Sequence, residues 1–107
     1  MKKNIKIILF LILTVLISVE RALANEKIRI GLLVPLSGKD SEIGHSIINS
    51  TRLAINKIDN LSIEIIPKDT QSNPENTLRA AKELAELNIK IVIGPVFNKN
   101  LIYLDEL

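Results

Sequence analysis

Cysteine and tryptophan are missing from this chain, and histidine occurs once. Without cysteine there is no disulfide to staple a small core, no thiolate nucleophile and no thiolate metal site. A single histidine, His45, gives no basis for a metal centre, which needs several convergent ligands. It falls in the first turn of an expected helix, where a solvated side chain is the ordinary outcome. The motifs of nucleotide chemistry are absent as well. Gly38-Lys39 ends like a phosphate-binding loop, yet the position five before Gly38 is Leu33 and the residue after the lysine is Asp40. No Gly-x-Gly-x-x-Gly follows the first expected strand, and Ser37 lacks the flanking glycines of a nucleophile elbow. Neither an enzyme nor a cofactor site is expected.

Charge of one sign is also scarce. The 107 residues carry 14 basic and 12 acidic groups, and the basic excess is confined to the N-terminus. Met1 to Lys6 is a positive region, Ile7 to Val19 an apolar core, and Ala22-Leu23-Ala24 a small-x-small pattern. These are the three parts of a secretory signal peptide cut after Ala24. Its apolar core is shorter than the ~20 residues that span a bilayer. Residues 1–24 contain Lys2, Lys3, Lys6 and Arg21 but only one acid, Glu20, so without them the balance turns from +2 to −1. The remainder has no electrostatic footprint for nucleic acid. No cysteine follows the apolar core, which argues against a lipid anchor. Export to the periplasm is expected, with residues 25–107 forming the folded part.

The rest is organised around Ile28-Arg29-Ile30-Gly31-Leu32-Leu33-Val34, an apolar run closed by Pro35 and Gly38. It reads as a buried strand, Asn25 to Val34, feeding a loop. Asp40 or Ser41 is the expected N-cap of a helix whose stripe is Ile43, Ile47, Ile48, Thr51, Ala54, Ile55 and Ile58. Asp59-Asn60 ends it. Leu61 to Ile66 alternates as a second strand, which Pro67 is expected to stop, leaving Lys68 to Ser72 as a polar loop. Asn73-Pro74 is an explicit start for a second helix running to about Leu87, with Leu78, Ala81, Leu84 and Ala85 inward. Ile89 to Ile93 is a third strand closed by Gly94-Pro95. A third helix is expected from about Leu101.

Strands alternating with helices give an α/β fold with a parallel sheet between two helical layers. Ligands of such sheets gather outside the carboxyl ends of the strands. Ser37 and Gly38 follow the first strand, Asp69 and Thr70 the second, Asn98 and Lys99 the third. All three sets should open on one edge, although turns select these residue types in any case.

Three stretches together resemble one family. Ile28 to Gly38 with Gly44 is similar to the opening of the leucine/isoleucine/valine-binding proteins, which are type I periplasmic binding proteins. Asp69-Thr70-Gln71-Ser72-Asn73-Pro74 resembles their second loop, and Ile91-Val92-Ile93-Gly94-Pro95 their third strand and turn. The resemblance implies two α/β lobes closing over a ligand, with this chain as the start of the first lobe. It implies a small, amino-acid-like ligand and an ABC permease as partner, without a cofactor. Ser37 and Gly38 would lie in the first ligand-side loop, and Val96, Phe97 and Asn98 where amino-acid receptors hold the ligand's main-chain groups. With Asp69, these are the expected ligand-side residues, Asn98 foremost. Two departures stand out: Ile43 replaces an aromatic before the glycine, and Asn98-Lys99 replaces a pair of small hydroxyl residues. Gly94-Pro95-Val96-Phe97-Asn98 is also similar to the penicillin-binding-protein activators, whose partner would be a penicillin-binding protein.

Overall fold

The computed structural model describes residues 1–22, 27–58 and 62–106. The elements are α1 (Lys2–Ala22), β1 (Ile28–Val34), α2 (Ser41–Lys57), β2 (Ile63–Asp69), α3 (Pro74–Glu86) and β3 (Ile91–Ile93). Two 3-10 turns follow, Asn98–Leu101 and Leu104–Glu106. The expected cleavage point Ala24, the strand start at Asn25 and the break at Asp59-Asn60 lie outside the described residues, as does Leu61. Along α1, residues Ile5 to Leu16 include ten large apolar side chains that are more than half exposed. Among the described residues no helix is long and apolar enough to cross a membrane.

The sheet is parallel throughout, in the order β2-β1-β3. Ile28 to Val34 pair with Ile63 to Asp69 on one side, and Ile30 to Leu32 with Ile91 to Ile93 on the other. Alternate β1 residues go to opposite faces. Leu33 joins Ala80, Ala81, Leu84 and Ile89 under α3. Leu32 and Val34 join Ile48 under α2. The chain steps from β1 one way to β2, then back past β1 to β3. Crossovers of one hand made in opposite directions put their helices on opposite faces, which gives the three-layer α/β/α arrangement. The reversal leaves the carboxyl ends of β1 and β3 side by side where the winding changes direction.

Several boundaries differ from the sequence reading. β2 does not stop at Pro67 but runs through it to Asp69, with Pro67 in register with Leu32. Among the described residues β2 pairs on one side only, and an edge strand tolerates a proline where the missing N–H would face outward. Two further residues of strand bring Asp69 level with Val34. β3 is shorter than expected, because Ile89 belongs to the end of α3: its N–H bonds to the Leu84 carbonyl and its side chain enters the core. Asn88 makes that closure with a left-handed backbone, φ 57°. Among the described residues the third helix is absent in α form. Its place is taken by the 3-10 turn beginning at Asn98, in a stretch whose Asn98 and Asn100 are weak helix formers.

The α3 start is as expected: the Asn73 side chain accepts from the N–H groups of Glu75 (2.8 Å) and Asn76 (3.2 Å), with Pro74 next. The buried face is turned by one position, to Thr77, Ala80, Ala81 and Leu84, while Ala85 is exposed. Thr77 can be buried because its hydroxyl donates to the Asn73 carbonyl at 2.8 Å. In α2 only Ile48 of the expected stripe is fully buried. Ile43 and Ile58 remain 43% and 45% exposed, so Ile43 is left as surface at the helix start.

Gly44 sets how closely α2 approaches the end of β1. A β-carbon there would overlap the Pro35 carbonyl, which is backbone and cannot rotate away. Gly44→Ala should therefore act as overpacking and cost about 3 kcal/mol. A variant of the exposed neighbour, Ser46→Ala, should stay within about 0.5 kcal/mol. Chemical denaturation of the two variants beside the parent checks this. Equal midpoints would show that α2 is free to shift.

Candidate functional site

At the carboxyl edge of the sheet, one carboxylate organises two loops. Asp69 ends β2, and its Oδ1 accepts the Leu36 N–H at 2.8 Å and the Gln71 N–H at 2.9 Å. Its Oδ2 accepts the Ser37 hydroxyl at 2.6 Å. Burial pushes the carboxyl up, but the bonds from the Ser37 hydroxyl and from the Leu36, Gln71 and Ser37 amides outweigh it. The acid is held below its usual range. Above it, Thr70 N–H bonds to the Val34 carbonyl at 3.0 Å, continuing the ladder by one step. The loop after β1 (35–40) and the loop after β2 (70–73) are thus one clasped unit.

A second bond closes the unit from the other end. Asp40, expected as an N-cap, makes no side-chain cap bond; its Oδ2 accepts the Ser72 hydroxyl at 2.7 Å instead. Gln71 and Ser72 both adopt left-handed backbone, φ 50° and 54°. For residues with a β-carbon that conformation is uphill and needs fixing from outside. The bonds from Asp69 and Asp40 supply it, with Asn73 N–H to the Thr70 carbonyl at 2.9 Å. Gly38, φ 79°, forms the tip of the first loop with open space around it.

The third loop reaches the first through apolar packing. Val96 and Leu36 both pack, with Ile47, against the cluster of Leu32, Val34 and Ile48. Of the expected ligand-side residues, Ser37 and Asp69 are therefore joined directly, Gly38 lies beside them, and Val96 is brought alongside. The Val96 side chain is partly buried in that packing. Phe97 is half-buried, with Lys99 Nζ 5.7 Å from its ring centre, a cation–π distance. Asn98 is exposed at the first position of the 3-10 turn. Lys68 is not available to a ligand there, since it pairs with Glu83 at 2.7 Å.

Sequence reasoning missed three features: the Asp40–Ser72 bond and the burial of Thr70 and of Asn100. Thr70 is 1% and Asn100 0% exposed, and Thr70 Oγ1 and both Asn100 amide atoms are buried without a hydrogen-bond partner. Nothing in the pattern of either loop marks a polar residue for burial. Among the described residues, no three or more His, Asp or Glu groups converge in the manner of a metal site. A cavity of about 530 Å³ lies at the opposite edge of the sheet, lined by Lys27, Ile28, Arg29, Asn88, Lys90 and Ile91. It is remote from the strand carboxyl ends where α/β sheets hold ligands.

Because its carboxyl is depressed, Asp69 stabilises the fold as the ionised group. That contribution is complete above the unfolded carboxyl value of about 3.9 and is lost as pH falls through the lower folded value. Asp69→Asn should flatten the stability profile on the acid side, between pH 5 and 2. Melting the parent and the variant across that range tests it. Parallel profiles would mean that the clasp carries no charge-dependent stability.

Residues 27–101 match the sequence model of a family described as periplasmic binding protein. Among solved structures, an ABC transporter substrate-binding protein from Sphaerobacter thermophilus is similar at TM-score 0.65 and 25% identity, over 71% of this chain and 22% of that one. A leucine-binding protein from Thermotoga maritima superimposes at TM-score 0.62 over 68% of this chain and 22% of its own. Its 19% identity speaks for the fold alone. A solute-binding protein of an ABC transporter from Rhodopseudomonas palustris, solved with 3,4-dihydroxybenzoic acid, gives TM-score 0.56 and 32% identity over 64% of this chain and 20% of that chain. This chain spans about a fifth of the length of these structures. No curated protein sequence matches it. None of the three structures is a penicillin-binding-protein activator, and all are binding proteins, not enzymes.

Proposed function

Since the chain belongs to the periplasmic binding protein family, we propose that it forms the opening of the first lobe of a solute receptor serving an ABC importer. The observation that carries this reading is the clasped edge: two loops locked by Asp69 and Asp40, with the third packed beside them at the reversal of winding. A receptor needs a wall organised before the ligand arrives, because ordering it on binding would subtract from affinity. The facing wall would come from a second lobe, and capture would follow hinge closure.

On this reading Ser37, Gly38, Phe97, Asn98 and the main chain of Val96 face the solute. Asp69 supports them from behind instead of touching the ligand. The ligand is a small polar molecule, amino-acid-like or a related carboxylic acid. The two probes to try are L-leucine and 3,4-dihydroxybenzoate, in view of the solved relatives. Residues 1–24 are the export signal, removed after Ala24, and the folded part works in the periplasm.

A ligand at a hundred times its dissociation constant should stabilise the full-length protein by about 2.7 kcal/mol, visible as a raised melting temperature. Asn98→Ala should weaken binding roughly tenfold, about 1.4 kcal/mol, with the melting temperature of the unliganded protein unchanged. If calorimetry finds the affinity of Asn98→Ala intact, Asn98 is not a contact. If neither probe nor any other small acid or amino acid shifts the melt, the receptor reading is wrong.

A further inference from the structure

A serine hydroxyl has one proton, and here its direction is fixed. Ser37 Oγ lies 2.6 Å from Asp69 Oδ2. An ionised carboxylate has no proton to give, so Ser37 must be the donor. A hydroxyl-to-carboxylate bond this short is charge-assisted, and swinging the proton toward a solute would break it. What Ser37 keeps on its exposed side is lone pairs. Three amides of the unit are also committed: Leu36 and Gln71 donate to Asp69 Oδ1, and Ser41 N–H bonds to the Gly38 carbonyl. The second hydroxyl of the unit, Ser72, is spent on Asp40.

We propose that the Ser37 hydroxyl is an acceptor-only contact in the cleft, which selects solutes presenting an N–H or O–H donor to it. The suitable groups are an ammonium, an amide N–H or a hydroxyl. A bare hydrocarbon or a carboxylate oxygen in that position leaves lone pairs facing nothing, or facing other lone pairs. The selection works through hydrogen-bond polarity and does not need a net charge. Asp69 and Asp40 are negative nearby, while Lys39, exposed two residues on, is positive, so neutral donors serve as well as cations. This inference rests on the receptor reading and specifies what one part of that site recognises. Asp69 is then a positioning residue: it acts on the solute only by fixing which way the Ser37 proton points.

The test compares ligands in pairs, by titration calorimetry on the full-length protein. L-leucine is set against 4-methylpentanoate, and 3,4-dihydroxybenzoate against benzoate, each second member lacking the donor. The donor-bearing member should bind at least tenfold tighter. In Ser37→Ala that ratio should fall to threefold or less, and Ser37→Thr should restore it. Asp69→Asn offers Nδ2–H to Ser37 Oγ and frees the serine proton, so the hydroxyl is no longer fixed as an acceptor and the ratio within each pair should narrow. A merely structural role for Asp69 would weaken both members alike and leave the ratio unchanged. If Asp69→Asn does not fold, the Ala and Thr variants of Ser37 decide the matter alone. Equal affinities within a binding pair, or a ratio that survives Ser37→Ala, overturn the inference while the receptor reading stands. If no member of either pair binds, the receptor reading fails first and takes the inference with it.

Discussion

A strand with neighbours on both edges and helices on both faces has no wet side, and β1 is that strand. Its residues from Gly31 onward are buried through Pro35, with Leu33 given to one helix and Leu32 and Val34 to the other. Period-two alternation of apolar and polar residues is impossible under that constraint, which is why the run is continuous. The same constraint dictates where the run must end. Once the chain leaves the sheet at Pro35 its amides lose the ladder, and the next N–H groups have to find acceptors elsewhere. They find Asp69.

That carboxylate explains why the edge is ordered at all. Four donors converge on one side chain from two loops that are more than thirty residues apart in sequence. A backbone acceptor could not serve several donors from different directions; a carboxylate, with two oxygens and about four lone-pair sites, can. The arrangement depends on β2 continuing past Pro67, since stopping there would leave Asp69 a variable distance from Leu36. An edge strand with a proline is thus what delivers the acid to its place.

The three strands, both central helices and the Asn73-Pro74 start could be read from periodicity and capping, because each is a local consequence of residue type. What the sequence does not announce has a different cause. Pro67 breaks a central strand but not an edge strand, and position in the sheet is a property of the whole fold. Asp40 had the sequence position of a cap, yet a hydroxyl from another loop claimed it. Asp69 stands at the expected ligand-side edge, and its oxygens also accept bonds from Leu36, Ser37 and Gln71, which no local pattern announces. Val96 stands after the Gly94-Pro95 turn, and its partly buried side chain packs on the cluster of Leu32, Val34 and Ile48. Exposed polarity and internal polarity use the same residue types, so only the partner's location separates them.

The partition of polar groups across the sheet supports placing function at this edge. Under α3 the hydrophobic cluster is Leu33, Ala80, Ala81, Leu84 and Ile89, and Thr77, the polar residue buried on that helix, has its hydroxyl satisfied by the Asn73 carbonyl. At the carboxyl edge, by contrast, Thr70 and Asn100 are buried with side-chain atoms left unbonded. Such groups cost of order 1–3 kcal/mol each, and a fold selected for stability alone would fill those places with apolar side chains. They flank the proposed contacts: Thr70 follows Asp69, and Asn100 lies two residues beyond Asn98. Local rules of packing are broken where a site has other demands to meet. Here they are broken on the loops where the clasp, the left-handed pair Gln71-Ser72 and the reversal of winding already meet.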